Sequence, residues 1–169
     1  MSRTGLVERY TDQVGNGAQR FWVHERILCG GSIISQDDYE HLKRDFGVTG
    51  VMNFCNDRPD NATIEYGVEM PFSDNGNSIS KKFIHDALDW AREFYLCKVG
   101  VLYVHCALGG SRGPSMAYAI CRGVLGMSRA DTLRAIQAGH PLFIGYLKTF
   151  HPKQYVHDIE EALLTWPRR

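Results

Sequence analysis

The chain has 169 residues, which is enough for one domain with its own hydrophobic core. Apolar residues make up 44% of it and charged residues 22%, as in ordinary soluble globular proteins. Nineteen basic residues balance nineteen acidic ones. This net charge of zero argues against a dedicated duplex-DNA binder, whose surface usually carries a strong basic excess. A local basic pocket is compatible with the balance.

The cysteine and histidine patterns exclude two further classes. The cysteines are odd in number, without a C-x-x-C pair, and no apolar N-terminal run could serve as a secretion signal. We therefore expect no disulfide scaffold and a reducing, cytoplasmic location. No run approaches the roughly 18 apolar residues of a membrane span, so we expect no membrane association. The seven histidines lack metal-ligand spacing, so we also expect no metal site.

The first half of the chain predicts extended segments rich in β-branched and apolar residues, at residues 26–30, 48–55 and 68–72. Between the first two, Ser35 has the features of a helix N-cap, with Asp38 at the capping-box position and Gly47 at the helix end. Polar loops follow the second and third segments, at residues 56–63 and 73–78.

Helical periodicity dominates the second half, in segments that begin after Ser78 or Ser80, at 115–125, at 128–138 and after Pro152. The run VLYVH at residues 101–105 predicts a buried strand between the first two helices. This order indicates an α/β fold with a small, central, mostly parallel sheet flanked by helices. The polar residues 1–20 are expected to form an N-terminal extension that is poorly ordered or drapes over the body.

The segment CALGGSR, which follows the VLYVH strand and precedes a helix, is the most informative part of the sequence. Adjacent glycines let successive backbone N–H groups converge on an anion, and the helix N-terminus adds partial positive charge. The guanidinium of Arg112 matches two phosphate oxygens. The same positive field favours the thiolate of Cys106, which would be a nucleophile aimed at phosphorus.

Other interpretations of this segment exist. Small buried cysteines are common at strand ends, and glycine-rich turns between a strand and a helix occur in many nucleotide-binding folds. However, the sequence lacks the ATP-type pattern G-x-x-x-x-G-K-[ST] and the dinucleotide fingerprint G-x-G-x-x-G. Rhodanese-type sulfur carriers place fewer residues between the loop cysteine and arginine.

The string His105-Cys106-x-x-Gly109-x-x-Arg112 resembles the signature of cysteine-dependent protein phosphatases, in a setting similar to the small, atypical dual-specificity group. The resemblance covers roughly residues 20–165 and implies one catalytic domain at 21–169. It implies that Cys106 forms a cysteinyl-phosphate and that Arg112 and the loop amides hold the phosphoryl oxygens, without metal or cofactor. His105 would support the loop. The residues expected to contact substrate are Ala107, Leu108, Gly109, Gly110, Ser111 and Gly113.

The resemblance also implies an aspartate, about thirty residues upstream, that protonates the leaving oxygen. Asp74 lies 32 positions before Cys106, in a loop that directly follows a predicted strand, and is our candidate. Asp57 and Asp60 in the preceding loop are the competitors. Asp74 could also be an ordinary turn residue, because Asp-Asn-Gly is a common turn string.

One position departs from the family pattern. The residue after the arginine is usually Ser or Thr, whose hydroxyl stabilises the departing thiolate in the second step; here it is Gly113. We expect slower hydrolysis of the intermediate than in close relatives, or a less stable Cys106 thiolate. Some glycan-directed relatives also lack this hydroxyl.

The loop carries neither lysine nor histidine, whereas lipid-directed relatives often place basic residues there. We therefore expect a monomeric enzyme acting on phosphorylated proteins, at phosphotyrosine and phosphoserine or phosphothreonine, whose loop could also hold a phosphate or sulfate ion. The alternatives are a phosphoglycan, phosphoinositide or RNA 5′-phosphate substrate, or a weakly active phosphate-binding module. We expect no binding to nucleic acid as a partner. Arg58 could lie at the pocket rim or be a solvated arginine.

Cys55 ends the predicted strand at 48–55. In certain relatives a cysteine after a comparable strand pairs with the catalytic cysteine on oxidation. We hypothesise that Cys55 and Cys106 form such a disulfide, which would prevent irreversible oxidation of the nucleophile. Alternatively, Cys55 is simply a small buried apolar residue.

Overall fold

The computed structural model describes residues 3–12, 15–57, 59–144 and 150–168. Its six-stranded sheet has the order β1-β2-β3-β6-β4-β5. The strands are β1 (Gly5–Thr11), β2 (Gly17–His24), β3 (Ile27–Gly30), β4 (Val48–Asn53), β5 (Gly67–Glu69) and β6 (Val101–His105). The first three strands are antiparallel neighbours, and β3, β6, β4 and β5 run parallel. This confirms the predicted α/β class with a mostly parallel sheet.

The sheet is covered by helices on both faces. The helices are α1 (Gln36–Phe46), α2 (Lys81–Cys97), α3 (Arg112–Gly123), α4 (Arg129–Gly139) and α5 (Phe150–Leu163). Alternate residues of the central strand β6 enter different cores. Leu102 and Val104 join the large core with the four later helices, and Val101 and Tyr103 join the smaller core with α1. A strand buried on both faces reads as a continuous apolar run, as VLYVH does.

The helix boundaries follow local capping chemistry. The Ser35 side chain accepts a hydrogen bond from the Asp38 N–H group at 3.0 Å, and Gly47 ends α1 in the left-handed conformation at φ 72°. Ser80, rather than Ser78, caps α2, and Ser128 caps α4. These N-caps account for most of the agreement between predicted and observed helices.

The expectation for residues 1–20 requires correction. Residues 5–11 form β1, and residues 17–20 begin β2, so much of the segment belongs to the central sheet. Most residues of β2 are buried or partly buried, but residues 1–20 are polar overall, which concealed the strands. Arg20 is buried because it pairs with Glu8 and Asp38, at 2.7 and 2.6 Å.

Smaller corrections concern element ends. β4 ends at Asn53 instead of residue 55, because the Asn53 side chain accepts a hydrogen bond from the Cys55 N–H group at 2.8 Å and turns the chain. β5 covers only residues 67–69. α3 begins at Arg112, three residues before the predicted start, and α5 begins at Phe150. Pro152 lies within its first turn, where its missing N–H group costs no helical hydrogen bond.

Candidate active site

The site lies where the parallel strands β3, β6 and β4 end. Parallel strands bring their carboxyl ends to one edge of a sheet, and loops at that edge commonly bind ligands. Cys106 directly follows β6, and Cys55 lies two residues after β4, whose Asn53 pairs with His105. We call residues 106–111 the cysteine loop.

The cysteine loop is held by the end of β3 and the residues after it. The Cys106 N–H group donates to the Gly30 carbonyl at 3.2 Å, and Ser32 donates from its backbone N–H group to the Ala107 carbonyl at 2.9 Å. The Ser32 hydroxyl lies 3.4 and 3.3 Å from the carbonyl oxygens of Cys106 and Ala107. These bonds turn the first two carbonyls of the loop towards the β3 side.

The amide groups of the loop are left available. Within the part of the chain that the structure describes, the backbone N–H groups of residues 107–111 donate to no protein acceptor. Gly109 adopts φ 86°, and a Cβ atom there would lie 2.9 Å from the Gly30 carbonyl carbon. A larger residue would therefore force the loop away from β3. At Gly110 a Cβ atom would meet nothing within 4 Å, so space is open on that side.

Arg112, the first residue of α3, is 6% exposed and is fixed by neighbouring segments. Its Nη1 donates to the Asn56 side chain at 2.7 Å and to the Phe72 carbonyl at 3.2 Å, and both terminal nitrogens lie 3.3 Å from Asp57 Oδ1. The buried Nε has no partner among the described residues. Burial opposes the charge, but the electrostatic effects of Cys106 and other neighbours raise the pKa of Arg112 overall. The side chain therefore remains cationic.

Asp74 lies beside the cysteine loop. It belongs to residues 73–79, which we call the Asp74 loop, and its Oδ1 accepts a hydrogen bond from the Ser111 hydroxyl at 2.9 Å. The competing carboxylates pair with other side chains. Asp57 pairs with Arg112, and Asp60 lies 3.0 Å from the buried Nε2 of His105. The structure thus brings Asp74 to the loop, and its role as an acid stays a prediction.

Two histidines, His105 and His140, support the cysteine loop. The His105 ring is fully buried, with Nδ1 3.1 Å from the Cys106 carbonyl, and is stacked on Tyr103 with 5.1 Å between the ring centroids. On the outer side, His140 Nε2 lies 2.9 Å from the Gly110 carbonyl. Both histidines contact backbone carbonyls of the loop and so restrict its conformation.

Cys55 is buried near Arg112, and its Sγ donates to Asp57 Oδ1 at 3.0 Å. Burial, together with the hydrogen bond to the carboxylate, raises the pKa of the Cys55 thiol to about 11. All five cysteines are free thiols. The hypothesis of a disulfide with Cys106 stays a prediction.

Several residues of the site were not predicted from the sequence, namely Ser32, Asn56, His140 and Tyr155. Asp57 was predicted only as a competing acid and not as the partner of Arg112. Asn56 and Asp57 carried a usable signal, since they follow a buried strand at the same sheet edge as Cys106. Tyr155 carried none, because only the folded chain brings α5 to the Asp74 loop, where the Tyr155 hydroxyl lies 3.0 Å from Asp74 Oδ1.

Arg58 lies outside the described residues. Among the residues that are described, no helix has both the length and the apolar character needed to cross a bilayer. In the same residues no group of three or more His, Cys, Asp or Glu side chains could hold a metal ion.

Comparison with known proteins relates this arrangement to a fold. No protein-family model and no curated protein matches the sequence. Among solved structures, PTPMT1 in complex with PI(5)P superposes with a TM-score of 0.65 at 16% identity, over 84% of this chain and 95% of that chain. Human DUSP28 superposes with a TM-score of 0.65 at 21% identity, over 82% and 90% of the two chains.

A third structure, the human tyrosine phosphatase-like serine/threonine/tyrosine-interacting protein, gives a TM-score of 0.64 at 15% identity, over 82% of this chain and 91% of that chain. These similarities extend over most of the chain in each case, although the identities are low. Together with the sheet order and the position of the cysteine loop, they show that this chain has the fold of the small dual-specificity cysteine phosphatases.

Proposed function

We propose that the protein hydrolyses phosphomonoesters through a cysteinyl-phosphate intermediate. The observation that carries this proposal is the group of donors around Cys106. Five consecutive loop amides and the buried Nε of Arg112 have no acceptor among the described residues of the protein. Donors fixed in this way are suited to the oxygens of a phosphoryl group and to the charge that develops on them.

In the first step, the Cys106 thiolate forms an S–P bond while the P–O bond to the leaving group breaks. Asp74 supplies the proton that the leaving oxygen needs. In the second step, a water molecule attacks phosphorus, the Asp74 carboxylate accepts its proton, and the S–P bond breaks to restore the thiolate. Arg112 and the loop amides hold the three non-bridging oxygens of the transferred phosphoryl group throughout.

We further propose that the substrate is a phosphoprotein with phosphotyrosine, phosphoserine or phosphothreonine. The side chains of the cysteine loop are apolar or neutral, so it offers no charge for a second phosphate. A cavity of about 390 Å³ adjoins the loop between Leu108 and residues of β1 and β2. Leu108 is 40% exposed. An apolar side chain beside an open cavity is suited to contact the residues that flank a phosphorylated side chain in a protein substrate.

A phosphoinositide substrate is the second candidate. It is favoured by the similarity to PTPMT1, whose structure was solved in complex with PI(5)P. A phosphoinositide needs cations close to the loop, and among the described residues that line the cavity next to Leu108, Arg9 is the only cationic one. The two candidates therefore predict that different compounds are hydrolysed when phosphopeptides and PI(5)P are compared directly.

The first test is hydrolysis of an aryl phosphate under reducing conditions. We expect turnover by the wild-type protein and a loss of more than about 10³-fold in kcat for Cys106→Ser. Asp74→Asn should lower kcat by about 10²-fold for poor leaving groups and much less for good ones, because a stable leaving oxygen needs little protonation. Asp57→Asn and Asp60→Asn are the comparison variants for the acid.

The second test presents phosphopeptides, PI(5)P, a phosphoglycan and an RNA 5′-phosphate to the wild-type protein and to Cys106→Ser as a binding trap. Release of phosphate from phosphopeptides alone would support the proposed substrate class. Activity on only one of the other compounds would overturn it. Phosphopeptide binding without any aryl phosphatase activity in the wild type would indicate a phosphate-binding module instead.

A further inference from the structure

Helix α5 follows the Asp74 loop by about 80 residues in the chain. It contacts both the first residue of that loop, Ser73, and the last, Ile79. Near the start of the loop, the Tyr155 hydroxyl accepts a hydrogen bond from the Gly76 N–H group at 3.1 Å. The same hydroxyl lies 3.0 Å from Asp74 Oδ1 and 3.4 Å from the Ser73 carbonyl. Three residues of the loop therefore meet one phenol oxygen.

Near the end of the loop, Asp158 provides the second contact, one helical turn after Tyr155. Its Oδ2 accepts a hydrogen bond from the Ile79 N–H group at 2.9 Å, and its Oδ1 accepts one from Gln154 at 3.0 Å. The tyrosine ring also packs edge-on against Phe72, with 5.4 Å between the ring centroids. The loop is thus tied to α5 on either side of the turn that contains Asp74.

The hydrogen-bond directions follow from the donors available. A phenol has one proton to donate, and the Asp74 carboxylate is both the nearer and the stronger acceptor than the Ser73 carbonyl. The Tyr155 side chain is fully buried, and this burial raises its pKa to about 12, so the phenol keeps its proton near neutral pH. Tyr155 is therefore a constant donor towards Asp74.

Two donors consequently meet on one oxygen of Asp74. Ser111, from the cysteine loop, and Tyr155, from α5, both reach Oδ1, at 2.9 and 3.0 Å. A carboxyl group whose Oδ1 accepts two hydrogen bonds carries its own proton on Oδ2. The pair of donors thus selects both the position of the carboxyl group and the oxygen from which a proton leaves.

We propose that Tyr155 is a positioning residue for the general acid, and that α5 holds the Asp74 loop against the cysteine loop through Tyr155 and Asp158. This inference rests on the proposed function, because it assigns Tyr155 a role through Asp74. Tyr155 does not contact the reacting phosphorus in this scheme. Its contribution belongs to the step in which the leaving oxygen is protonated.

The test is Tyr155→Phe, which removes the hydroxyl and keeps the ring that packs on Phe72. We expect kcat for phenyl phosphate, a poor leaving group, to fall about tenfold, the effect of one hydrogen bond to a charged group. For an aryl phosphate with a good leaving group, kcat should change less than twofold. The matched control is Tyr118→Phe, which removes a buried hydroxyl that α3 donates to Glu160 of α5, away from the Asp74 loop.

A double-mutant cycle separates positioning from a general structural effect. In the Asp74→Asn background, Tyr155→Phe should cause no further loss with phenyl phosphate, because the residue through which it acts no longer supplies a proton. An equal loss in both backgrounds, an equal loss for both leaving groups, or no loss at all would overturn the proposal. If Asp74→Asn shows no leaving-group dependence, the acid assignment itself fails.

Asp158→Ala provides the same test from the other end of the loop if Tyr155→Phe does not fold, as judged by its melting temperature. It removes the acceptor of the Ile79 N–H group and leaves Tyr155 in place. We expect a loss confined to phenyl phosphate, smaller than that of Tyr155→Phe. A loss independent of the leaving group, or none, would contradict the role of α5.

Discussion

The cysteine loop and the Asp74 loop meet at Ser111, but the protein holds them by different means. The cysteine loop is largely buried, and backbone groups at the end of β3 fix its first residues. Asp74 lies on an exposed loop that side chains of α5 hold, from about 80 residues further along the chain. The sheet therefore positions the cysteine loop, whereas the position of Asp74 depends on a few particular side chains.

This difference has a consequence for catalysis. Changes in the cysteine loop should affect every substrate, because every substrate has a phosphoryl group to be held. Changes in the Asp74 loop or its supports should affect substrates in proportion to their need for a proton. Leaving-group dependence is thus the measurement that separates the two regions.

Apart from loss of the nucleophile, the largest expected effect is that of Arg112→Lys. A lysine cannot reproduce the planar guanidinium, whose Nη1 and Nη2 bind three residues, Asn56, Asp57 and Phe72, while Nε remains available. We expect kcat to fall by about 10²–10³-fold for good and poor leaving groups alike, as for the loss of an oxyanion donor. Steady-state assays with both substrates measure this.

Arg122→Lys is the matched control, since this arginine lies on the same helix and pairs with Glu160. It should leave kcat unchanged. If the loss caused by Arg112→Lys were confined to poor leaving groups, the proposed division between the two loops would be wrong.

Gly113 tests how closely α3 approaches the end of β6. A Cβ atom there would lie 3.2 Å from the Cys106 nitrogen and from two backbone atoms of His105. Gly113→Ala and Gly113→Ser share this crowding and should both be less stable, by about 1 kcal/mol or 2–4 °C in Tm. Only the serine adds the hydroxyl that the phosphatase signature usually carries.

We expect the cysteinyl-phosphate of Gly113→Ser to break down about tenfold faster than that of Gly113→Ala, the effect of one hydrogen bond to a charged group. Rapid-quench measurement of the intermediate tests this. Unchanged turnover and unchanged breakdown in Gly113→Ser would refute our interpretation of this glycine.

The smallest effect concerns Cys55, in the segment that follows β4. Because burial and Asp57 raise its pKa to about 11, the thiol is protonated at pH 7. Below that pKa, each increase of one pH unit raises the thiolate fraction about tenfold, and thiolate is the form that attacks an oxidised cysteine. After a pulse of peroxide, we expect the rate of Cys55–Cys106 disulfide formation to rise from pH 7 to pH 9.

Peptide mass spectrometry without reduction measures that disulfide. In Cys55→Ser, Cys106 should proceed to the sulfinic and sulfonic forms. Finding only these forms in the wild-type protein at every pH would exclude the pairing.

Local sequence determined those parts of the structure that depend on neighbouring residues. The apolar run at 101–105, the cap residue Ser35 and the left-handed Gly47 identified their elements, because burial periodicity and capping are local properties. The spacing from Cys106 to Arg112 likewise identified a candidate anion site, since one loop and one helix N-terminus contain it. β1 and β2 pair with neighbouring strands, but polar residues interrupt their apolar pattern, and the charged Arg20 is buried only because Glu8 and Asp38 pair with it.

The sequence by itself thus determined the mostly parallel α/β fold and the candidate nucleophile and its arginine. Only the tertiary structure decided which groups surround them. Asn56, Asp57 and Tyr155 reach the site across 55 to 81 residues of chain, through hydrogen bonds that no local pattern encodes. Such contacts exist only after the sheet has placed β4 beside β6 and α5 has packed against the large core, because packing fixes which distant side chains can meet.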